Sequence, residues 1–184
     1  MSIILREYRP EDVPEVLAIW NEVIEEGGSI PFVEPMTEEF LGMILSDAET
    51  IVAVEVPEGT GVEVTSGNAG SEAPADIAPD RVVGMYCVHP NMLGRCSHIA
   101  NATYLVAADC RGQHIGEKLV LDSLEKAREM GFHAMQFNGV VKSNVHARNL
   151  YERCGFAVIG EIPESFRVKD GHYENGLIMY QKLS

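Results

Sequence analysis

Residues 104–120, with the sequence YLVAADCRGQHIGEKLV, constrain the fold of this chain more than any other segment. An aromatic and β-branched run ends there, a turn containing Arg111 and Gly112 follows, and a helical pattern starts near His114. Direct passage from a strand into a long helix indicates an α/β architecture. The first turn of a helix also carries unpaired N–H groups and a partial positive charge, so this junction is a candidate phosphate site.

The turn by itself does not define a nucleotide-binding motif. It contains neither the GxxxxGK[ST] pattern of a Walker A loop nor GxGxxG. Glycine in the turn would let a phosphate approach the backbone closely, and Arg111 would add a charge-assisted hydrogen bond. Taken alone, however, a strand, a glycine-containing turn and a helix are more often structural than anion-binding.

The remaining sequence alternates between the two periodicities of regular secondary structure. Strands are predicted at residues 3–8, 50–56, 81–89, 98–108, 133–140, 156–161 and 177–182. Helices are predicted at residues 10–26, 37–45, 113–130 and 144–154. Because helical crossovers alternate with short hairpins, this order predicts an α/β (α+β) fold with a sheet of mixed strand direction.

Residues 57–80 interrupt this pattern. They are rich in Gly, Pro, Ser, Ala and acidic residues, and they have almost no large apolar side chains. A segment of this composition cannot bury enough apolar surface to form a core of its own. We therefore expect one domain over residues 1–184, with a flexible acidic hairpin insertion at about 57–80 rather than a second domain.

The charge balance excludes one class of partner. The chain has 14 Lys and Arg against 28 Asp and Glu, which gives a net charge of -14. A nucleic-acid-binding protein needs a basic face to neutralise phosphates, so we expect no nucleic-acid partner. An acidic surface would attract cationic small molecules such as amines, although it also serves solubility.

Other sequence signals concern location and metals. No apolar run approaches the roughly 18 residues of a transmembrane helix, and the N-terminal residues do not resemble a secretory signal peptide. We expect a cytoplasmic protein with no membrane partner. The four cysteines form neither a CxxC pair nor a Cys/His cluster, so we expect free thiols and no metal site.

Residues 144–156, NVHARNLYERCGF, are the second informative segment. Asn144 stands where a helix N-cap belongs, and Ala147, Leu150 and Tyr151 share one helical face. A tyrosine on an apolar face has two interpretations. It is either a core residue whose hydroxyl finds a partner or, since it is protonated at neutral pH, a proton donor to a thiolate leaving group.

Together the two segments resemble the cofactor-binding motifs of the GNAT (GCN5-related) N-acetyltransferase superfamily. RGQHIG at residues 111–116 is similar to the family's pyrophosphate loop, Q/R-x-x-G-x-G/A, and residues 144–156 resemble its second CoA motif. LAIWNE at residues 17–22 is similar to the phosphinothricin-acetyltransferase-like branch. The likeness covers nearly the whole chain apart from residues 57–80.

The resemblance implies the GNAT fold, in which a central, mixed and twisted sheet of about seven strands is flanked by four helices. It also implies acetyl-CoA as acyl donor and Tyr151 as the general acid that protonates the departing sulfur. The implied cofactor-binding residues are Tyr104, Leu105, Val106, Arg111, Gly112, Gln113, His114, Ile115, Gly116, Glu117 and Asn144. The amine would attack the thioester directly in a ternary complex, without a covalent enzyme intermediate.

One position departs from the family pattern. The loop has His114 where the family usually has glycine. A Cβ atom there could crowd a pyrophosphate, but the backbone N–H remains and the imidazole could add a donor. We expect CoA binding with an altered loop geometry, and the alternative is an inactive cofactor site.

The acceptor amine must lose a proton before it attacks, so a base should lie near the centre of the sheet. Glu34 is the tentative base, and its alternative interpretation is a surface carboxylate. The other candidates are His98, Asn101, Gln136 and Asn138. His98 could equally be structural, and the amides could only orient a water molecule.

The function predicted from these motifs is acetyl transfer to the primary amine of a small molecule. The loops around Pro31 and Phe166 resemble lids over a small pocket, which favours this acceptor class. One alternative is a non-catalytic acyl-CoA-binding sensor or partner domain, and the other is an acetyltransferase that acts on a protein N-terminus or lysine. Since family members often dimerise, a homodimer is also expected.

Overall fold

The computed structural model describes residues 1–57 and 80–183. The hairpin insertion predicted at about 57–80 therefore lies almost entirely outside the described residues. Within the described part of the chain, no helix combines the length and the apolar character needed to cross a membrane.

A seven-stranded sheet with the strand order β1-β2-β3-β4-β5-β7-β6 forms the centre of the molecule. Its strands are β1 (Ser2–Glu7), β2 (Glu49–Val56), β3 (Arg81–Pro90), β4 (Ile99–Val106), β5 (Ala134–Val141), β6 (Ala157–Arg167) and β7 (Tyr173–Lys182). The helices are α1 (Val13–Glu26), α2 (Glu38–Leu45), α3 (Ile115–Glu129) and α4 (Val145–Arg153). The predicted mixed α/β fold with seven strands and four helices is confirmed.

Among the strands of residues 1–57 and 80–183, β4 and β5 form the one parallel pair, and this pairing is short. Ile99 pairs with Ala134 and Ala100 pairs with Met135. Beyond these pairs β4 continues to pair with β3 as far as Val106, and β5 continues to pair with β7, with a register shift after Phe137. The two strands therefore diverge, and among the described strands the edge of β4 that faces β5 has no partner beyond Ala100.

The helices cover the two faces of the sheet around this divergence. The Tyr86 hydroxyl donates to Asp122 of α3 at 2.6 Å, and the Tyr104 hydroxyl lies 2.7 Å from Ser123 of the same helix. Since side chains alternate along a strand, the intervening residues of β3 and β4 point to the opposite face. Helix α1 packs against these two strands there, and its buried stripe includes Val16, Ile19, Trp20, Val23 and Ile24.

A buried ion pair joins β1 to the start of α1. Residues 10–12 form a 3₁₀ turn, so the α-helix begins at Val13 rather than at the predicted Pro10. The Asp12 carboxylate accepts two 2.7 Å hydrogen bonds from the Arg6 guanidinium and a third from the Arg9 backbone N–H. Burial disfavours the charged carboxylate, but these donors outweigh it and lower the pKa of Asp12.

The last two strands are longer than predicted. Strand β6 extends to Arg167 instead of residue 161, and β7 begins at Tyr173 instead of residue 177. A hairpin turn joins them, in which the Val168 N–H donates to the His172 carbonyl at 3.0 Å. Most of β6 is exposed, so its sequence lacks the alternation of apolar and polar residues that identifies a half-buried strand.

Candidate active site

A cavity of about 530 Å³ occupies the space where β4 and β5 diverge. Its walls come from these two strands, α4, the end of β3, the loop between α1 and α2, and β6. The apolar part of the wall includes Trp20, Ile30, Phe32, Phe137, Val140 and Phe166. The polar part includes His89, Asn101, Thr103, Asn138, Asn144 and Tyr151. Such a combination is typical of a small-molecule site.

The loop before α3 presents a row of free backbone donors. Gly112 and His114 have φ angles of 79° and 60°, in the left-handed region. The first hydrogen bond of the helix runs from the Lys118 N–H to the His114 carbonyl, at 3.1 Å. The N–H groups of residues 112–117 have no acceptor among the residues that the structure describes, and a Cβ built on Gly112 would meet nothing within 4 Å. The loop can therefore accept an anion.

His114 adopts the conformation that glycine would adopt without strain. A non-glycine residue in the left-handed region costs on the order of 1 kcal/mol. Its side chain is 77% exposed, and its Nδ1 lies 3.1 Å from the Glu117 carboxylate. The imidazole consequently points away from the protein core, and the backbone N–H stays in the row of free donors.

Arg111 is engaged by the protein itself. Its guanidinium makes two hydrogen bonds to the Glu26 carboxylate, at 2.7 and 3.0 Å, and its Nε donates to the Val106 carbonyl at 3.3 Å. These contacts join the end of α1 to the loop before α3. A pyrophosphate contact by this side chain, which the motif implied, stays a prediction and would require Glu26 to share the guanidinium.

Of the three predicted residues of β4, Tyr104 lines the cavity, and Leu105 and Val106 are not part of the described wall. Leu105 is buried in the core, and the Tyr104 hydroxyl is held by Ser123 on the α3 face. The backbone of residues 104–106 lies on the part of β4 that is not paired with β5. An extended ligand can therefore pair with this edge, as a strand would.

Helix α4 places Asn144 and Tyr151 in the cavity wall. Asn144 is the N-cap, as predicted, because its side-chain oxygen accepts from the Ala147 N–H at 3.1 Å. The Tyr151 ring packs against Phe137, with ring centroids 4.6 Å apart. Its hydroxyl has no hydrogen-bond partner among the described residues, and burial raises its pKa above the ordinary value, so it is protonated at neutral pH.

Four amide side chains form a hydrogen-bond network that reaches the cavity wall. Asn101 and Asn138 both donate to the Asn91 side-chain oxygen, at 3.2 and 2.6 Å, and Gln136 donates to Asn138 at 2.9 Å. Of the residues that the sequence offered as a base or as a group that orients water, Asn101 and Asn138 line the cavity. Gln136 is not part of the described wall, but it donates a hydrogen bond to Asn138.

The structure places Glu34 and His98 outside this site. Glu34 is exposed and is not part of the cavity wall. His98 is also exposed, with its Nδ1 3.2 Å from the Arg95 carbonyl. His89, which ends the predicted strand 81–89, also lines the cavity, and no sequence motif indicated a role for it. Only the antiparallel register, which pairs His89 with Asn101, reveals this position.

These features are typical of an α/β protein that can hold an anionic, extended ligand where its sheet splits. A family model described as Acetyltransferase (GNAT) family matches residues 65–156, half of the 184-residue chain. N-acetyltransferase aca1 of Schizosaccharomyces pombe is 30% identical over 152 residues, covering 83% of this chain and 70% of aca1. The chain belongs to the GNAT family and is an acetyl-CoA-dependent acyltransferase.

Two further comparisons extend this result. An L-methionine sulfoximine/L-methionine sulfone acetyltransferase of Pseudomonas aeruginosa is 24% identical over 164 residues, covering 89% of this chain and 86% of that protein. The phosphinothricin acetyltransferase of Sinorhizobium meliloti, solved in complex with AcCoA, has a TM-score of 0.82 at 16% identity. That alignment covers 100% of this chain and 90% of the neighbour, which confirms the GNAT fold.

Proposed function

We propose that this chain transfers the acetyl group of acetyl-CoA to the primary amine of a small molecule, by direct attack in a ternary complex. The observation that carries the proposal is the cavity at the β4–β5 divergence. It has a free tyrosine hydroxyl on one side, and polar groups under the α1–α2 loop on the other. A donor thioester and an acceptor amine can meet between them.

The residues present fit the acyl donor. The free N–H groups of residues 112–117 suit the pyrophosphate, since a helix N-terminus favours negative charge. The backbone of Tyr104, Leu105 and Val106 pairs with β3 but not with β5, so its edge towards β5 suits the pantetheine arm. Asn144 lines the cavity and would lie beside that arm. When bound, acetyl-CoA supplies an activated thioester carbonyl, and a backbone N–H of β4 would stabilise the developing oxyanion.

Tyr151 has the properties of the general acid. Tyr151 lines the cavity, its hydroxyl has no partner among the described residues, and it stays protonated because burial raises its pKa. It would give its proton to the thiolate as the carbon–sulfur bond breaks. No covalent bond to the protein is needed for this mechanism, so buried Cys154 and Cys110 have no required role.

The size and cover of the cavity favour a small acceptor. Phe32 from the α1–α2 loop and Phe166 from β6 line it together with Trp20, so the acceptor side is roofed by aromatic rings. The Pseudomonas aeruginosa relative is named for two amino-acid derivatives of this size class. The net charge of -14 would also attract an ammonium group. We further expect a cytoplasmic location and a homodimer.

The experiment that tests this proposal is an assay of CoA thiol release with a panel of acceptors. Small primary amines and amino-acid analogues are compared with short peptides that offer a free N-terminus or a lysine. We expect turnover with at least one small amine and little with peptides. Turnover with peptides alone would support a protein acceptor, and acetyl-CoA binding without turnover on any amine would support the sensor function. Either result would refute the proposal.

A further inference from the structure

His89 occupies a distinctive place in the cavity wall. It lies at the end of β3, is half-buried, and pairs across the strands with Asn101. Among the described residues that line the cavity, the other ionisable side chains are Tyr104 and Tyr151. Imidazole is the side chain that changes protonation near neutral pH. Of these three side chains, only His89 is of the type that offers, in its neutral form, a ring nitrogen with a lone pair for a proton.

The hydrogen bonding of His89 determines which nitrogen is free. Its Nδ1 lies 2.9 Å from the Pro90 carbonyl oxygen. A carbonyl only accepts, so this hydrogen bond requires the proton of the neutral ring to sit on Nδ1. The lone pair is then on Nε2, which has no hydrogen-bond partner among the described residues. This arrangement holds the ring in the tautomer that a base requires.

His89 and Tyr151 belong to opposite faces of the sheet. Tyr151 packs against Tyr104 and Phe137, which share the α3 face. His89 pairs directly with Asn101, whose side chain points to the other face, because strand residues alternate. The acceptor side of the cavity, under Trp20 and the α1–α2 loop, is on the His89 side.

No side chain of a charged type lies beside His89 in the described wall of the cavity. The described wall contains no carboxylate, lysine or arginine side chain. On the adjacent strand β2, Glu49 pairs with Val88, the neighbour of His89, and therefore points to the opposite face. There its carboxylate lies 4.0 Å from Lys126 of α3. Glu34 is exposed and is not part of the described wall. His89 is therefore the one candidate base for the acceptor amine among the described residues of the wall.

We infer that His89 is the general base that deprotonates the acceptor ammonium, an inference that rests on the proposed function. Nε2 takes one proton from the ammonium and later releases it to solvent. The neutral nitrogen attacks the thioester carbon, a carbon–nitrogen bond forms, and the carbon–sulfur bond breaks. Tyr151 protonates the thiolate and is reprotonated by the second proton that the new amide nitrogen loses. The products are the acetamide, CoA thiol and one proton.

The test uses the full chain with an acceptor from the panel and the variant His89→Asn. The asparagine amide can still donate to the Pro90 carbonyl, but it cannot accept a proton from an ammonium. We expect kcat/KM near neutral pH to fall by about 100-fold or more. The acidic limb of the pH profile should move upward toward the ionisation of the acceptor amine itself, so that activity recovers in alkaline buffer.

His98→Asn is the matched control. His98 has the same contact of Nδ1 with a carbonyl, but it is exposed and outside the cavity. Its replacement should leave rate and pH profile unchanged. Acetyl-CoA affinity of each variant can be followed by the fluorescence of Trp20, the single tryptophan of the chain. If His89→Asn does not fold, His89→Gln replaces it with the same expectation.

Two results would overturn the inference while leaving the proposed function intact. One is a His89→Asn enzyme with the rate and pH profile of the wild type. The other is an equal loss at every pH accompanied by weakened acetyl-CoA binding, which would mark a structural role. If the wild-type protein acetylates no amine at all, the proposed function fails first, and the inference fails with it.

Discussion

The Arg111 guanidinium is held by the Glu26 carboxylate, with hydrogen bonds of 2.7 and 3.0 Å, immediately before the loop of free backbone donors at the start of α3. The contact joins the end of α1 to the loop that we assign to the pyrophosphate. Arginine is a strong phosphate ligand, but here its charge is already compensated. The ion pair is about half exposed, so breaking it should cost little stability.

Glu26→Gln should therefore release Arg111 and strengthen acetyl-CoA binding by about two- to five-fold at low salt, because an exposed charge contact is worth up to about 1 kcal/mol. Titration of Trp20 fluorescence at low and high salt would measure this, and the gain should disappear at high salt. Weaker binding by the variant would show instead that the ion pair positions the loop.

Tyr151→Phe should lower kcat by about 100-fold while the dissociation constant of acetyl-CoA stays unchanged. The hydroxyl is removed, but the ring still packs against Phe137. Tyr86→Phe is the control, since Tyr86 is a buried tyrosine whose hydroxyl bonds Asp122 outside the cavity. The Tyr86→Phe variant should have a free energy of unfolding lower by about 1 kcal/mol and an unchanged kcat. Full activity in Tyr151→Phe would refute the general-acid assignment.

His114→Gly should raise stability slightly, by up to about 1 kcal/mol, because glycine adopts the left-handed conformation without strain. Acetyl-CoA affinity should persist, since the residue contributes a backbone N–H. His114→Val should do the opposite and lower stability, because a β-branched side chain is strained at the φ of 60°. Urea denaturation of both variants measures the difference. A glycine variant less stable than the valine variant would contradict this account.

Asp12→Asn should destabilise the fold by about 2–4 kcal/mol near neutral pH, because it leaves the Arg6 charge without its carboxylate partner. The folded-state pKa of Asp12 is lowered, so its contribution is present above the unfolded pKa of about 3.9 and is lost as pH falls through the folded value. The stability gap between wild type and variant should thus narrow in acid.

A surface carboxylate provides the comparison for that measurement. Asp109 pairs with Arg81 at 2.7 Å, but its side chain is 61% exposed. Asp109→Asn should change the free energy of unfolding by less than about 1 kcal/mol. Chemical denaturation of the wild type, Asp12→Asn and Asp109→Asn at several pH values measures the free energy of unfolding of each. These values distinguish the buried ion pair from the exposed one. A gap for Asp12→Asn that does not depend on pH would exclude the proposed ion-pair linkage.

Structural features that are decided by residues close together in the sequence could be predicted from the sequence alone. The Asn144 cap on α4 and the glycine turn before α3 are local, since each is decided by the conformation of a few consecutive residues. Amphipathic periodicity likewise predicted the helices and the buried strands of the sheet. Strand β6 was underestimated because an exposed strand has no such periodicity.

The sequence by itself thus determined the class of fold, and its short-range patterns indicated the loop before α3 that we propose for the cofactor and the helix that carries Tyr151. Only the tertiary structure decided how the acceptor side is built. The meeting of His89, Asn101 and Asn138 depends on the antiparallel register of β3 with β4 and on the divergence of β4 from β5. Such long-range pairings are set by packing of the whole sheet, and no local stretch of sequence encodes them.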